Sequence, residues 1–166
     1  MKMLGIVGFK NAGKTTLTER LVAELTARGY RVSTIKHAHH AFDIDHEGRD
    51  SWRHRQAGAH EVAVVSASRF AIVQELRGSP EPSLAEIASR LQPCDLLITE
   101  GYKWEAHPKI EVRNVGAGHP ELAGRDPTVI ALASSAPVAD APVPQFSRED
   151  IGAIADFVIG QFALER

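Results

Sequence analysis

With 166 residues, 43% of them apolar and 24% charged, the chain is long enough to bury a core and has an ordinary globular composition. A net charge of −2 excludes the broad basic field of a nucleic-acid binder, and the apolar runs are too short to cross a bilayer. A single cysteine, Cys94, excludes an internal disulfide and suits a cytoplasmic setting, and its place at the start of an apolar strand predicts core packing.

In chain order, Met3–Val7 reads as a short buried strand, and an N-terminus that runs straight into it points to no cleavable leader. Gly8-Phe9-Lys10-Asn11-Ala12-Gly13-Lys14-Thr15 then matches the phosphate-binding pattern G-x-x-x-x-G-K-[ST] without deviation. Leu17, Leu21, Val22 and Leu25 give the following helix its apolar stripe, ending at Gly29. The strand, loop and helix are the setting the pattern requires. Gly8 and Gly13 let the backbone curl so that its N–H groups face an anion, and the helix adds its unpaired N–H groups and the positive end of its dipole. Lys14 can reach the β and γ phosphates and the Thr15 hydroxyl can ligate Mg²⁺. The loop therefore says polyphosphate without naming a base.

Arg31–Lys36 reads as the second strand, followed by a His- and Asp-rich loop over 37–49. Asp50 is expected to cap a short helix, Ser51–Ala57, that stops at Gly58. Val62–Val65 and Phe70–Glu75, separated by four residues, predict an antiparallel β-hairpin inserted in the fold. Ser83 and Glu86 form a capping box for a helix to about Leu91. Asp95–Thr99, Lys109–Arg113 and Thr128–Ala133 are further strands, and residues 136–145, with three prolines, are expected to be an irregular crossover. Ser147–Asp150 caps a last helix whose stripe is Ile151, Ile154, Ala155, Val158 and Phe162. This alternation predicts an α/β fold with a mainly parallel sheet flanked by helices, in one nucleotide-binding domain over 1–166.

In such sheets ligands bind beyond the carboxyl ends of the strands, so Glu100, which follows Asp95–Thr99, is favoured over Asp95 as the acid for Mg²⁺. Gly101 would admit a close backbone approach to the γ phosphate, and Lys103 is spaced for a phosphate contact. His37, His39, His40 and His46 raise a zinc site, but neither cysteines nor a second well-spaced pair accompany them. A loop that orders on binding a triphosphate and Mg²⁺, with Asp43, Asp45 and Asp50 meeting metal or substrate, fits the composition better.

Gly-Phe-Lys-Asn-Ala-Gly-Lys-Thr-Thr-Leu at 8–17, Ile-Lys-His-Ala-His-His at 35–40, Phe-Asp-Ile-Asp at 42–45, Gly-Arg-Asp-Ser-Trp-Arg-His-Arg-Gln-Ala-Gly-Ala at 48–59 and Glu-Gly-Tyr-Lys at 100–103 resemble the MobB family, the adaptor proteins of molybdopterin-guanine dinucleotide biosynthesis. The resemblance extends over nearly the whole chain. It implies a P-loop GTPase-like fold, binding of GTP with Mg²⁺, weak intrinsic hydrolysis, and a homodimer. It also implies a MobA-type guanylyltransferase as the partner that attaches GMP to molybdopterin, with molybdopterin-carrying proteins as further partners and neither nucleic acid nor membrane.

Carried over by position, the resemblance makes Lys10, Asn11, Ala12, Gly13, Lys14, Thr15 and Thr16 the phosphate loop, which the pattern opens at Gly8, and Glu100-Gly101 the acidic strand end; Lys103 follows by spacing. Thr15, Glu100 and Asp50 are the candidate metal ligands, and His37, Asp45 and Asp50 the switch-like candidates for hydrolysis. The chain departs from the family at Ser134-Ser135, where an acid commonly follows the equivalent stretch, and it lacks an Asn-Lys-x-Asp guanine motif. Residues alone therefore leave the base open. A self-sufficient P-loop GTPase or kinase and a histidine-using metallochaperone GTPase are the alternative readings.

Overall fold

Leu4 and Ile6 lie on one side of the first strand and Gly5 and Val7 on the other, and both sides are buried, so this segment needs no polar face. Along the chain the elements are β1 (Met3–Val7), α1 (Lys14–Ala27), β2 (Val32–Lys36), α2 (Asp50–Gln56), β3 (Glu61–Val65), β4 (Phe70–Gln74), α3 (Leu84–Arg90), β5 (Leu96–Glu100), β6 (Lys109–Arg113), β7 (Val129–Ser134), β8 (Gln145–Ser147) and α4 (Ile151–Phe162). The computed structural model describes residues 1–38 and 42–165. The chain divides into two compact units, Met1–His37 with Leu91–Arg166, and Ala38–Arg90.

The first unit holds a six-stranded sheet of order β2-β5-β1-β6-β7-β8, parallel at every pairing. On one face, Leu17, Leu21 and Leu25 of α1 and Ile154, Ala155 and Val158 of α4 meet Leu4, Ile6, Ile98, Ile110 and Ala131 of the strands. Each of the larger side chains stabilises this layer by about 1.5–3 kcal/mol on leaving water. The predicted end of α1 is observed: Gly29 has φ +92°, and the N–H groups of Gly29 and Tyr30 donate back to Thr26 and Leu25 at 2.9 and 3.1 Å. At the other end of the chain, Asp150 caps α4 as expected, its Oδ1 accepting from the Ala153 N–H at 3.1 Å.

The opposite face carries polar groups that are paired inside the fold. Lys109 is 1% exposed, and its ammonium donates to Asp126 Oδ2 at 3.1 Å and Thr128 Oγ1 at 2.5 Å. His107 Nε2 lies 2.9 Å from Thr99 Oγ1, and burial, aided by the Lys109 charge, pushes the imidazole below its usual pKa. Gly5 makes room for both side chains. A Cβ there would stand 2.7 Å from His107 Nε2 and 2.9 Å from Lys109 Cγ.

The second unit contains the hairpin as its own antiparallel sheet, with Val65 opposite Phe70 and Ala63 opposite Ile72. The capping box of α3 is present: Ser83 donates N–H and hydroxyl to Glu86 Oε2, each at 2.7 Å, and the Glu86 N–H returns to Ser83 Oγ.

Three expectations are corrected. Asp50 is the first residue of α2 rather than its cap; Arg49 holds the cap position, with no side-chain capping bond. The 136–145 crossover ends in an unanticipated strand, β8, a three-residue edge whose partner β7 supplies the pairing that its sequence does not announce. Cys94 precedes β5 and is half-buried, with Sγ 3.1 Å from Met1 Sδ, because the apolar run begins two residues later.

Gly5→Ala is expected to destabilise the protein by about 1–3 kcal/mol through overpacking. His107→Ala in the same chain should recover part of that loss. Urea unfolding of the two single variants and the double variant checks this, and strictly additive losses would contradict the contact.

Candidate functional site

Parallel pairing puts the carboxyl ends of β2, β5 and β1 side by side, with Glu100 opposite Ile6 on one side and Lys36 on the other. The chain leaves β1 through Gly8, whose φ is +149°, and a Cβ there would sit 2.4 Å from the Val112 carbonyl oxygen of β6. Only glycine passes that neighbour without moving it. Asn11 and Gly13 also take positive φ, 62° and 99°, completing the loop that turns into α1. Gly13 is the N-cap of α1 and offers no side chain, so the first N–H groups of a 14-residue helix have no side-chain cap.

The charged groups converge on this loop. Thr15 Oγ1 donates to Glu100 Oε1 at 2.9 Å, and Lys36 Nζ lies 3.6 Å from the same oxygen. Lys14 Nζ donates to the Phe9 carbonyl at 2.8 Å. Burial lowers the Lys14 pKa; Glu100 raises it, and the charges of Lys103 and Lys36 lower it further. Three ammonium groups therefore act around one carboxylate, an excess of positive charge in a chain of net charge −2. Lys103 lies over the loop's own Phe9: its Nζ sits 3.9 Å from that ring's centroid and 5.7 Å from that of the exposed Trp104.

Ala12 is buried and its carbonyl accepts from Arg148 Nη1 at 3.3 Å, whereas Lys10, Asn11, Thr15 and Thr16 are exposed. Gly101 has φ +109° and passes close to His37: a Cβ there would stand 3.0 Å from His37 Cβ and 3.2 Å from its carbonyl oxygen. The His37 N–H donates to the Glu100 carbonyl at 2.9 Å, and its ring lies 5.1 Å from that of Tyr102. His37 is thus tied to the Glu100–Gly101 turn. Asp95, the competing acid, is at the opposite end of the strand and accepts from the Arg31 N–H at 2.7 Å; that bond and the Arg31 guanidinium hold its carboxyl below the usual range.

Asp45 and Asp50 belong to the second unit. Asp45 accepts from Ser51 Oγ and the His46 N–H at 2.9 and 3.0 Å, and its other oxygen lies 3.4 Å from Arg55 Nε. The Arg55 guanidinium, 8% exposed, also donates to both oxygens of Asp43 and to Glu75 at 2.7–3.0 Å. Asp50 is 91% exposed beside Arg53. His39 and His40, part of the histidine motif, lie outside the described residues.

Thr15 and Glu100 offer two oxygens from separate elements next to a loop shaped for phosphate. Hard oxygen donors of this kind fit a Mg²⁺ that completes its shell with phosphate and water. Among the described residues no group of three or more His, Cys, Asp or Glu is gathered to hold a metal. Sequence reasoning missed Lys36, Phe9 as a ring platform, and Arg148. Lys36 was findable as a cation ending a strand parallel to the one that ends in Glu100.

Residues 3–135 match the family model described as MobB, molybdopterin guanine dinucleotide synthesis protein B. The chain is 39% identical over 160 residues to the molybdopterin-guanine dinucleotide biosynthesis adapter protein of Escherichia coli (strain K12), spanning 95% of this chain and 91% of that protein. It is 41% identical over 160 residues to the protein of the same description from Haemophilus influenzae, spanning 94% and 86%. Among solved structures it resembles a crystal structure of molybdopterin-guanine biosynthesis protein B with TM-score 0.75, 27% identity and coverage of 97% and 99%. Bacillus subtilis MobB gives TM-score 0.76, 26% identity and coverage of 97% and 98%. The fold is that of these P-loop NTPase-like proteins.

A polyphosphate seated against Lys14 would raise a pKa that burial holds low in the free chain. Binding of inorganic triphosphate is therefore expected to take up protons at alkaline pH and to weaken as pH rises through the free-chain value. Calorimetry in two buffers of different ionisation enthalpy checks this. Proton release, or none at any alkaline pH, would contradict it.

Proposed function

The chain belongs to the MobB family, and from that premise we propose that it is a cytoplasmic GTP·Mg²⁺-binding adaptor that assists a MobA-type guanylyltransferase in attaching GMP to molybdopterin. The observation that carries the reading is the Thr15–Glu100 contact of 2.9 Å beside Lys14 at the uncapped start of α1. Amides of the 8–16 loop and the Lys14 ammonium hold the phosphates, with Lys36 adding charge from β2. Thr15 and Glu100 are the residues that would hold Mg²⁺, which when bound neutralises phosphate charge and fixes the triphosphate's orientation.

Hydrolysis is a side property in this reading. The support is that the candidates for it are engaged elsewhere or face solvent: the His37 ring packs 5.1 Å from that of Tyr102, Asp45 accepts from Ser51, and Asp50 is exposed. Oriented water is the part a dedicated hydrolase must add.

The second unit supports a homodimer. Val65, Phe70 and Ile72 share one face of the hairpin and are 74, 69 and 58% exposed. A two-stranded sheet alone is marginal in water, and its free edges and apolar face invite pairing with a second copy. Arg55 braces the base of this hairpin through Glu75, so the apolar face is presented on a fixed support. Phe70→Glu is expected to shift the chain to a monomer in light scattering at micromolar concentration; an unchanged dimer mass would contradict the hairpin as the interface.

With Mg²⁺ present, GTP is expected to bind more tightly than ATP in calorimetry. Lys14→Ala should weaken binding severely with the fold retained. Glu100→Gln should cost Mg²⁺-dependent affinity more than metal-free affinity. Equal losses with and without metal would remove Glu100 from the metal site.

A further inference from the structure

The peptide that joins Ala12 to Gly13 in the phosphate loop ends on a glycine of φ +99°, which can rotate with no Cβ in the way. Its N–H is one of the loop amides that the nucleotide reading assigns to phosphate. The peptide is trans, so its carbonyl and its N–H point in opposite directions. Whatever fixes the Ala12 carbonyl therefore fixes the direction of the Gly13 N–H.

Arg148 fixes that carbonyl. It follows β8 directly, and its own N–H donates to the Ser134 carbonyl of β7 at 3.0 Å. Its side chain crosses to the phosphate loop, where Nη1 donates to the Ala12 carbonyl at 3.3 Å. The same nitrogen would stand 3.5 Å from a Cβ at Gly13, so the guanidinium lies against the peptide itself. Lys14 Nζ holds the loop differently, through the Phe9 carbonyl at 2.8 Å, and a phosphate drawing in that ammonium competes with the bond. The Arg148 bond is on the side of the peptide away from the Gly13 N–H and meets no such competition.

Arg20 of α1 braces the corner that carries Arg148. Its Nη1 donates to Glu149 Oε2 and its Nη2 to the Glu149 carbonyl, each at 2.7 Å, and Nη1 also reaches the Arg148 carbonyl at 3.3 Å. Glu149 Oε1 in turn lies 3.7 Å from Arg148 Nε. α1 thus fixes the corner after β8, and the corner fixes the loop that opens α1. The Arg148 side chain is 32% exposed, so its contact with the loop, rather than core packing, carries its effect.

We propose that Arg148 is a positioning residue for polyphosphate binding: it holds the Ala12 carbonyl and thereby turns the Gly13 N–H toward the bound phosphate. The inference rests on the nucleotide-binding reading and extends it. Because Arg148 acts through the loop, it serves inorganic triphosphate and GTP alike.

Arg148→Met keeps the apolar stem and removes the guanidinium. Calorimetry with Mg²⁺ compares inorganic triphosphate and GTP in parent and variant at low salt and at about 1 M KCl, where charges act over only ~3 Å. Urea unfolding checks the fold. A loss of about tenfold for both ligands, in the same ratio at both salt concentrations and with the urea midpoint retained, supports the role. A loss that fades at high salt is the effect of a distant charge and overturns it. Parental affinity for triphosphate overturns it too, and a loss confined to GTP makes Arg148 a nucleoside contact instead. If the midpoint falls, the Gly13 amide resonance decides. A difference between the free parent and the free variant that disappears when both are saturated with triphosphate supports the role; a difference that persists, or none, overturns it. A parent chain that binds neither GTP nor triphosphate overturns the nucleotide reading itself, whereas a parent that binds both beside an unaffected variant overturns only the role of Arg148.

Discussion

The parallel register between β1 and β5 is the constraint on which the site depends. It sets Glu100 opposite Ile6, two residues before the backbone enters the phosphate loop at Gly8. The parallel register between β2 and β5 brings Lys36 to Glu100 from the other side. Once β1 is held between β5 and β6, Gly8 has to clear the Val112 carbonyl, and the loop emerges with Thr15 against the Glu100 carboxylate. Apolar packing fixes the register: Leu4 and Ile6, with Leu96 and Ile98, bury one face beneath α1 and α4, and a one-residue slip would turn these side chains away from the helices.

The resulting site is built to hold charge rather than to consume it. Three lysines work around a single carboxylate, and Lys14 carries a desolvation cost that a bound polyphosphate would offset. Lys103 rests on the Phe9 ring and His37 on the Glu100–Gly101 turn. An adaptor has use for such an arrangement, because affinity and orientation can be supplied without an oriented water. In the second unit, Arg55 gathers Asp43, Asp45 and Glu75, linking the acidic loop, α2 and the hairpin in one ion-pair network.

Much of this was legible in the sequence because local signals agreed with the tertiary outcome. The phosphate loop is a spacing rule with a backbone reason at each glycine. Glu100 was separable from Asp95 because strand direction alone decides which end lies beside the 8–15 loop. The Ser83–Glu86 box and Gly29 are short-range chemistry and read correctly. What escaped depends on distant partners. β8 exists through its pairing with β7, and nothing in Gln145–Ser147 announces it. Asp50 had the right residue type for a cap, but the helix begins at Asp50 itself. Arg55 reads as a surface charge on a short helix until three carboxylates from other segments close on it. The Phe9–His119 stack joins residues 110 positions apart, a pairing no periodicity encodes.

The central claim is that nucleotide is held here in the service of another enzyme's transfer. Its most direct test is single-turnover transfer of GMP to molybdopterin by a MobA-type guanylyltransferase, with and without this chain, alongside GTP turnover by the chain alone. The account predicts a higher yield of the guanine dinucleotide with the chain present, and solitary GTP turnover far below the ~1–10³ s⁻¹ of dedicated enzymes. No gain in yield, together with solitary turnover inside that range, would contradict it and make the chain a hydrolase in its own right.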